Sequence, residues 1–221
     1  MAFAFAVLGL AFGSFATVLL ERLPTGESIG GRSRCSVCHK PLHVFDLVPL
    51  LSFVILRGRC RSCGARIPWV YPCIELASAL LFLLSMSLEG TIVHAGILAA
   101  VLWLLLVIAI VDLQTMGIPD SLNVTLLIFG ILHNTIEPPF EPSGMLLSLT
   151  VFTPQWLLSR GRWLGSGDIL LGAALGMFLG GWMATAVALW FTYMLGGTAA
   201  AAVLLSGRKQ WGEHLPMAPF L

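Results

Sequence analysis

Charge is scarce in this sequence. Asp, Glu, Lys and Arg make up 10% of its residues, where a soluble globular chain carries roughly 25%. That scarcity excludes an ordinary water-soluble globule. It also excludes a disordered chain, which stays in solution through charge and low hydrophobicity. Cysteine is sparse too, at five in 221 residues, too few for a secreted disulfide scaffold. No low-complexity tract is present, no internal repeat is evident, and no Gly-rich nucleotide loop follows a strand and opens a helix. The polar–apolar alternation of a membrane barrel is missing as well. What is present is apolar: 57% of the residues are hydrophobic and the mean hydropathy is +0.92. An integral membrane protein built of helices remains, since open strands would leave backbone groups unpaired in lipid.

Seven apolar stretches approach the ~20 residues that cross hydrocarbon. They run over 1–20, 72–88, 91–111, 121–136, 144–158, 168–183 and 184–206, with a soft boundary at Gly180-Gly181-Trp182. The first has no basic residue before its apolar run, and its first charges are Glu21 and Arg22. It therefore reads as an uncleaved helix with its N-terminus outside. Of twelve Lys and Arg residues, eight lie between the first two stretches: Arg22, Arg32, Arg34, Lys40, Arg57, Arg59, Arg61 and Arg66. Arg160 and Arg162 follow the fifth, and Arg208 and Lys209 the seventh. Seven helices put all of these on one side, while the opposite loops carry only Glu89, Glu137 and Glu141. Basic loops stay in the cytoplasm, which orients the chain.

Residues 21–72 form a polar insertion of 52 residues, long enough for a small domain. Within it stand Cys35-Ser36-Val37-Cys38 and Cys60-Arg61-Ser62-Cys63. Each C-x-x-C turn aims two thiolates at one centre, and two turns complete a tetrahedral zinc site. So few polar residues build little core, and a metal substitutes for one. Disulfides and free thiols are the alternatives; a cytoplasmic location disfavours the first. His39 and His43 are nearby, but four cysteines already close the shell. Cys73 reads as a small buried thiol. The excess of bases in this loop serves topology, with attraction to anionic lipid or to an acidic ligand as a second reading.

Ionisable groups in or beside apolar helices are functional candidates. Four qualify: Glu75, Asp112, Asp120 and Asp168. Asp112 ends the apolar run 100–111, and Asp168 follows Gly165-Ser166-Gly167 at the start of the sixth stretch. The topology puts both at the cytoplasmic boundary. Two facing carboxylates that share a proton perform aspartic proteolysis, one activating water and the other polarising the scissile carbonyl. A cap role competes for Asp168. Asp120, after Pro119, fits the first turn of a helix. No such role exists for Asp112, where negative charge at a helix C-terminus is unfavourable.

These residues carry a pattern that resembles the bacterial type IV prepilin peptidases, bifunctional leader peptidases and N-methyltransferases of the GxGD aspartic protease class. Gly13-Ser14-Phe15 and Arg22-Leu23-Pro24 look like the family's opening; the two cysteine pairs, Tyr71-Pro72-Cys73-Ile74-Glu75, and Leu215-Pro216-Met217-Ala218-Pro219-Phe220-Leu221 are similar to further motifs. Asp112 with Ile118-Pro119-Asp120 resembles the first catalytic motif and Gly165–Asp168 the second. Leu170 stands where the family usually has Lys, Ala218 where it has Gly, and the sequence ends where the family's final helix would begin.

The resemblance implies an all-α polytopic protein of the bacterial inner membrane, with about seven transmembrane helices and room for the start of an eighth. It implies a first helix over 1–20, a cytoplasmic zinc-binding domain over 21–72 tied to methyl transfer, and an aspartic peptidase over 73–221. The expected catalytic residues are Asp112 and Asp168, the expected zinc ligands Cys35, Cys38, Cys60 and Cys63. Glu75 is the candidate for orienting the amine that is methylated from S-adenosylmethionine. The expected partners are the bilayer and prepilin or pseudopilin substrates, not nucleic acid. Two further readings stay open, a protease without methylation and a non-enzymatic zinc-bearing assembly factor.

Overall fold

A computed structural model of the chain describes residues 1–162, 164–206 and 217–221; Arg208, Lys209, Leu215 and Pro216 lie outside the described residues. Every apolar stretch is helical: α1 (Ala2–Arg22), α3 (Val70–Leu88), α4 (Ile92–Thr115), α5 (Asp120–Ile136), α6 (Ser143–Ser159), α7 (Ser166–Leu179) and α8 (Trp182–Leu205), with a short α2 (Leu51–Ile55) in the polar insertion. The helices α1, α3, α4 and α8 are long and apolar enough to cross a membrane. At 14 residues α7 is shorter than expected, about 21 Å long. Gly180 ends it at φ 70, while the apolar composition runs on, so hydropathy alone extends the segment too far.

The chain divides into two compact units, Met1–Val107 and Ile108–Leu221. The four-cysteine insertion thus groups with α1, α3 and most of α4. In the first unit α1 and α3 meet backbone to backbone. A Cβ on Gly9 would lie 2.6 Å from the Ala79 Cα, and one on Gly13 only 2.5 Å from the Glu75 Cα. Two glycines one turn apart are what allow this approach between apolar helices. Trp103 of α4 closes the unit, donating its ring N–H to the Phe12 carbonyl at 3.0 Å and packing on Phe12 and Phe15.

Arg22 organises the start of the insertion. Its guanidinium donates to the carbonyls of Ser28, Ile29 and Gly30 at 3.0, 2.8 and 2.7 Å, and to that of Arg32 at 3.4 Å. A rigid fork of donors is suited to such a cluster of acceptors.

The insertion also holds a duplication that the sequence does not advertise. Ser33–Leu42 and Gly58–Ile67 are the same hairpin. In each the first cysteine N–H bonds five residues ahead (Lys40 O at 3.0 Å, Ala65 O at 2.8 Å), and the residue after the second cysteine donates back to the first (His39, Gly64). An isolated bridge closes each one, Arg34 to Pro41 and Arg59 to Arg66. His39 and Gly64 both adopt positive φ, 57 and 72. The repeat lies in backbone geometry, with side-chain identity confined to Arg-Cys-x-x-Cys.

In the second unit α7 packs between α5 and α6, with α8 against α6. Its Leu171, Gly172, Ala173, Ala174, Gly176 and Met177 are buried, a largely small-residue surface that admits two neighbouring helices at once.

Candidate functional site

The second unit brings together the two aspartates singled out above. Asp112 lies three residues before the end of α4 and is only 5% exposed. Its Oδ2 accepts the backbone N–H of Ala218 at 3.0 Å. Ala218 opens a 3-10 turn (Ala218–Phe220) whose flanking Met217 and Leu221 pack on the core of Phe152, Leu164 and Leu189. A buried carboxylate needs such a donor.

Asp168 is the third residue of α7, not its N-cap; the cap is Gly165, whose N–H donates to the Asp168 Oδ2 at 3.0 Å. The side chain therefore serves the helix start. Gly167 lies where the two motifs meet. A Cβ there would stand 3.3 Å from the Cβ of Ile118 and 3.5 Å from its carbonyl. Asp120 is exposed in the first turn of α5, the position expected from Pro119.

The first unit holds the other candidates. The sulfurs of Cys35, Cys38, Cys60 and Cys63 all lie within 4.8 Å of one another, the only such ligand cluster among the described residues, and the Cys35 and Cys63 sulfurs are 3.8 Å apart. A Zn–S bond of about 2.3 Å in a tetrahedron sets sulfurs about 3.8 Å apart, so the cluster fits the ion. All four are free of disulfides, and neither histidine belongs to the cluster. Backbone N–H groups of Cys38 and Val37 point at the Cys35 sulfur and hold its thiol down to about 6. Arg61 grips Asp46 at 2.8 Å, tying the second hairpin to the 3-10 turn Val44–Leu47.

Glu75 lies on the inner face of α3. Its Oε2 accepts the Leu50 N–H at 2.8 Å, and Ser14 borders the same cavity. Leu50 makes this bond at φ 58, a backbone strained for a leucine, at the head of α2. Tyr71 donates its hydroxyl to Glu21 of α1. Between the cysteine hairpins and the ends of α1 and α3 lies a cavity of about 160 Å³ bordered by Ser14, Glu21, Arg61, Tyr71 and Glu75. Cys73, expected as a buried thiol, is exposed on α3; the outer face of an apolar helix accepts a small thiol at little cost.

Sequence reading missed two contributors, Ala218 as a donor to Asp112 and Asn123 of α5, whose amide donates to the Gly167 carbonyl at 2.9 Å. A buried polar residue within an apolar helix was the available signal for Asn123. For Ala218 there was none, because the contact is made by backbone 106 residues away.

These features define a polytopic helical membrane protein with a four-thiol module in one unit and a pair of neighbouring aspartates in the other. Residues 7–88 match the bacterial peptidase A24 N-terminal domain, and residues 99–203 the type IV leader peptidase family. The chain belongs to that family. A prepilin leader peptidase/N-methyltransferase of Bacillus subtilis (strain 168) is 33% identical over 217 residues, covering 96% of this chain and 87% of the relative. One from Klebsiella pneumoniae is 39% identical over 193 residues, 80% of this chain and 83% of the relative. One from Burkholderia pseudomallei (strain K96243) is 34% identical over 260 residues, with 100% of this chain and 82% of the relative covered. No solved structure matches the chain.

Proposed function

We propose that this protein cuts the leader peptide from type IV prepilins or pseudopilins and then methylates the new N-terminus. The observation that carries the proteolytic half is the junction of the two motifs, where the Asn123 amide bonds the Gly167 carbonyl beside Asp168, with Asp112 and Asp168 each having one oxygen fixed by a backbone N–H. In this reading the two carboxylates face each other, and like charges so placed favour a state in which the pair holds one proton. The ionised carboxylate then takes a proton from water, and the resulting hydroxide adds to the scissile carbonyl. The protonated one donates to the carbonyl oxygen, and the departing amine leaves with a proton.

In this reading all seven apolar helices act as crossings of the inner membrane, with the N-terminus outside and the cysteine insertion cytoplasmic, because that arrangement collects all basic loops on one side. Such a substrate is itself an apolar helix with a basic leader, and the aspartates would meet it at the cytoplasmic boundary.

Methyl transfer belongs to the first unit in this reading. Cys35, Cys38, Cys60 and Cys63 would hold zinc, which closes the insertion as a structural ion. S-adenosylmethionine, when bound, supplies the methyl group. Its donor set fits the cavity: carboxylates of Glu21 and Glu75 for a cationic amine or sulfonium, and Arg61 nearby for a carboxylate. At about 160 Å³, against roughly 300–1,000 Å³ for whole small-molecule sites, it has room for the reacting end only. Glu75 orients the new amine there and receives the proton lost when the N–C bond forms.

Incubation of a prepilin with the protein, followed by mass measurement of its N-terminus, tests both halves. Asp112→Asn and Asp168→Asn keep shape and remove the proton acceptor. Each should lower cleavage by at least ~10³-fold, within the range of lost acid–base catalysis, while the exposed Asp120→Asn changes it little. Wild-type cleavage by Asp112→Asn overturns the assignment.

A further inference from the structure

Asn123 stands on α5 one turn beyond Asp120, flanked by the buried Leu122 and Leu126. It is 1% exposed, yet its amide is only half satisfied. The Nδ2 donates to the Gly167 carbonyl at 2.9 Å, and the Oδ1 has no partner among the described residues. The orientation is dictated by that bond, because the flipped amide would set oxygen against oxygen.

A buried acceptor without a donor weakens packing, and a leucine-sized apolar residue would remove the liability. Stability therefore does not account for an amide at this position. Its one interaction lands on the residue immediately before Asp168. Gly167 is held from two sides, by the Asn123 amide and by the Ile118 backbone and side chain that its missing Cβ admits. Ile118 and Asn123 belong to the segment that follows Asp112, so the clamp links the two aspartate motifs directly.

We propose that Asn123 is a positioning residue for peptide hydrolysis, holding the Gly167 backbone so that the Asp168 carboxylate stays in register with that of Asp112. This rests on the aspartate-pair reading given above. Asn123 need not touch substrate; it acts through the backbone it grips.

The test uses the full-length protein in lipid nanodiscs with a prepilin substrate. Asn123→Ala should lower kcat by about 10–100-fold, since a misplacement of about 1 Å costs on the order of 100-fold. KM should stay within about two-fold, because the substrate-binding surface is untouched in this reading. The pH profile of kcat should narrow, because aspartates moved apart influence each other's ionisation less. Asn123→Leu, which fills the site without an unpaired oxygen, should equal or exceed wild-type thermal stability and show the same loss of kcat. Methylation of a pilin supplied already cleaved should be unchanged in both variants. Wild-type kcat in Asn123→Leu overturns the inference, as does a loss of rate that tracks a fall in Tm with the pH profile unaltered. Asp168→Asn is assayed alongside. If it still cleaves, the aspartate pair itself is wrong; if it is inactive while Asn123→Leu is not, only the role of Asn123 is wrong.

Discussion

Replacing Gly13 by alanine probes how the first unit positions Glu75. The added methyl would lie 2.5 Å from the Glu75 Cα and 3.1 Å from its carbonyl oxygen. Carbon atoms pack at about 3.5–4.0 Å, so the deficit is about 1 Å. The obstruction is backbone and cannot rotate away, so α1 and α3 must separate or twist. Overpacking of this kind costs about 1–3 kcal/mol. The displacement falls on Glu75 itself and would stretch its bond to the Leu50 N–H. A shift of about 1 Å at a group that orients a reactant costs on the order of 100-fold in rate. Methylation should therefore drop by about that factor, while cleavage by aspartates of the other unit drops by less than about three-fold. Gly9→Ala is the control. It meets the Ala79 Cα at 2.6 Å, one turn further from Glu75, and should lower Tm similarly with a smaller loss of methylation. The assay resolves cleaved, cleaved-and-methylated and intact pilin by mass. Equal losses of both activities in Gly13→Ala, or none, would refute the reasoning.

Two further outcomes follow from the insertion. Elemental analysis of reduced, purified protein should give about one zinc per chain, lowered by Cys35→Ser, and either Cys35→Ser or a chelator should suppress methylation more than cleavage; protein without zinc rules out the four-thiol site. Arg22→Lys retains the charge but loses the fork that holds four carbonyls, so amide hydrogen exchange over residues 24–32 should rise clearly above wild type; unchanged protection there would assign the order of this segment to other contacts.

Much of the architecture was legible because lipid makes simple demands. A crossing helix must be long, apolar and internally hydrogen-bonded, so composition placed seven apolar helices, most with ends correct to a few residues, and four of them are long and apolar enough to cross a membrane. The cysteine cluster was legible for a similar reason, since ligand spacing is fixed by the ion. Backbone geometry was not legible. The end of α7 at Gly180 and the duplicated hairpins leave almost no mark on hydropathy or residue identity. The Glu75–Leu50, Asn123–Gly167 and Ala218–Asp112 bonds join residues 25, 44 and 106 apart. They arise only once helices pack, and two of their donors are main chain, which every residue possesses.

The brevity of α7 bears on how water would reach the proposed reaction at the membrane boundary. If α7 is one of the seven crossings, its roughly 21 Å falls about 9 Å short of a hydrocarbon slab of about 30 Å. A helix too short for its membrane draws the lipid surface toward it or admits solvent above its end. Asp168 stands in the first turn of that helix, where this local thinning is felt. On that condition, and with the aspartates catalytic as proposed, the shortfall would make a shallow wet notch beside Asp168, and the hydrolytic water would not have to cross oil to arrive. Thicker bilayers would deepen the mismatch, and acyl-chain length would then control the rate of cleavage.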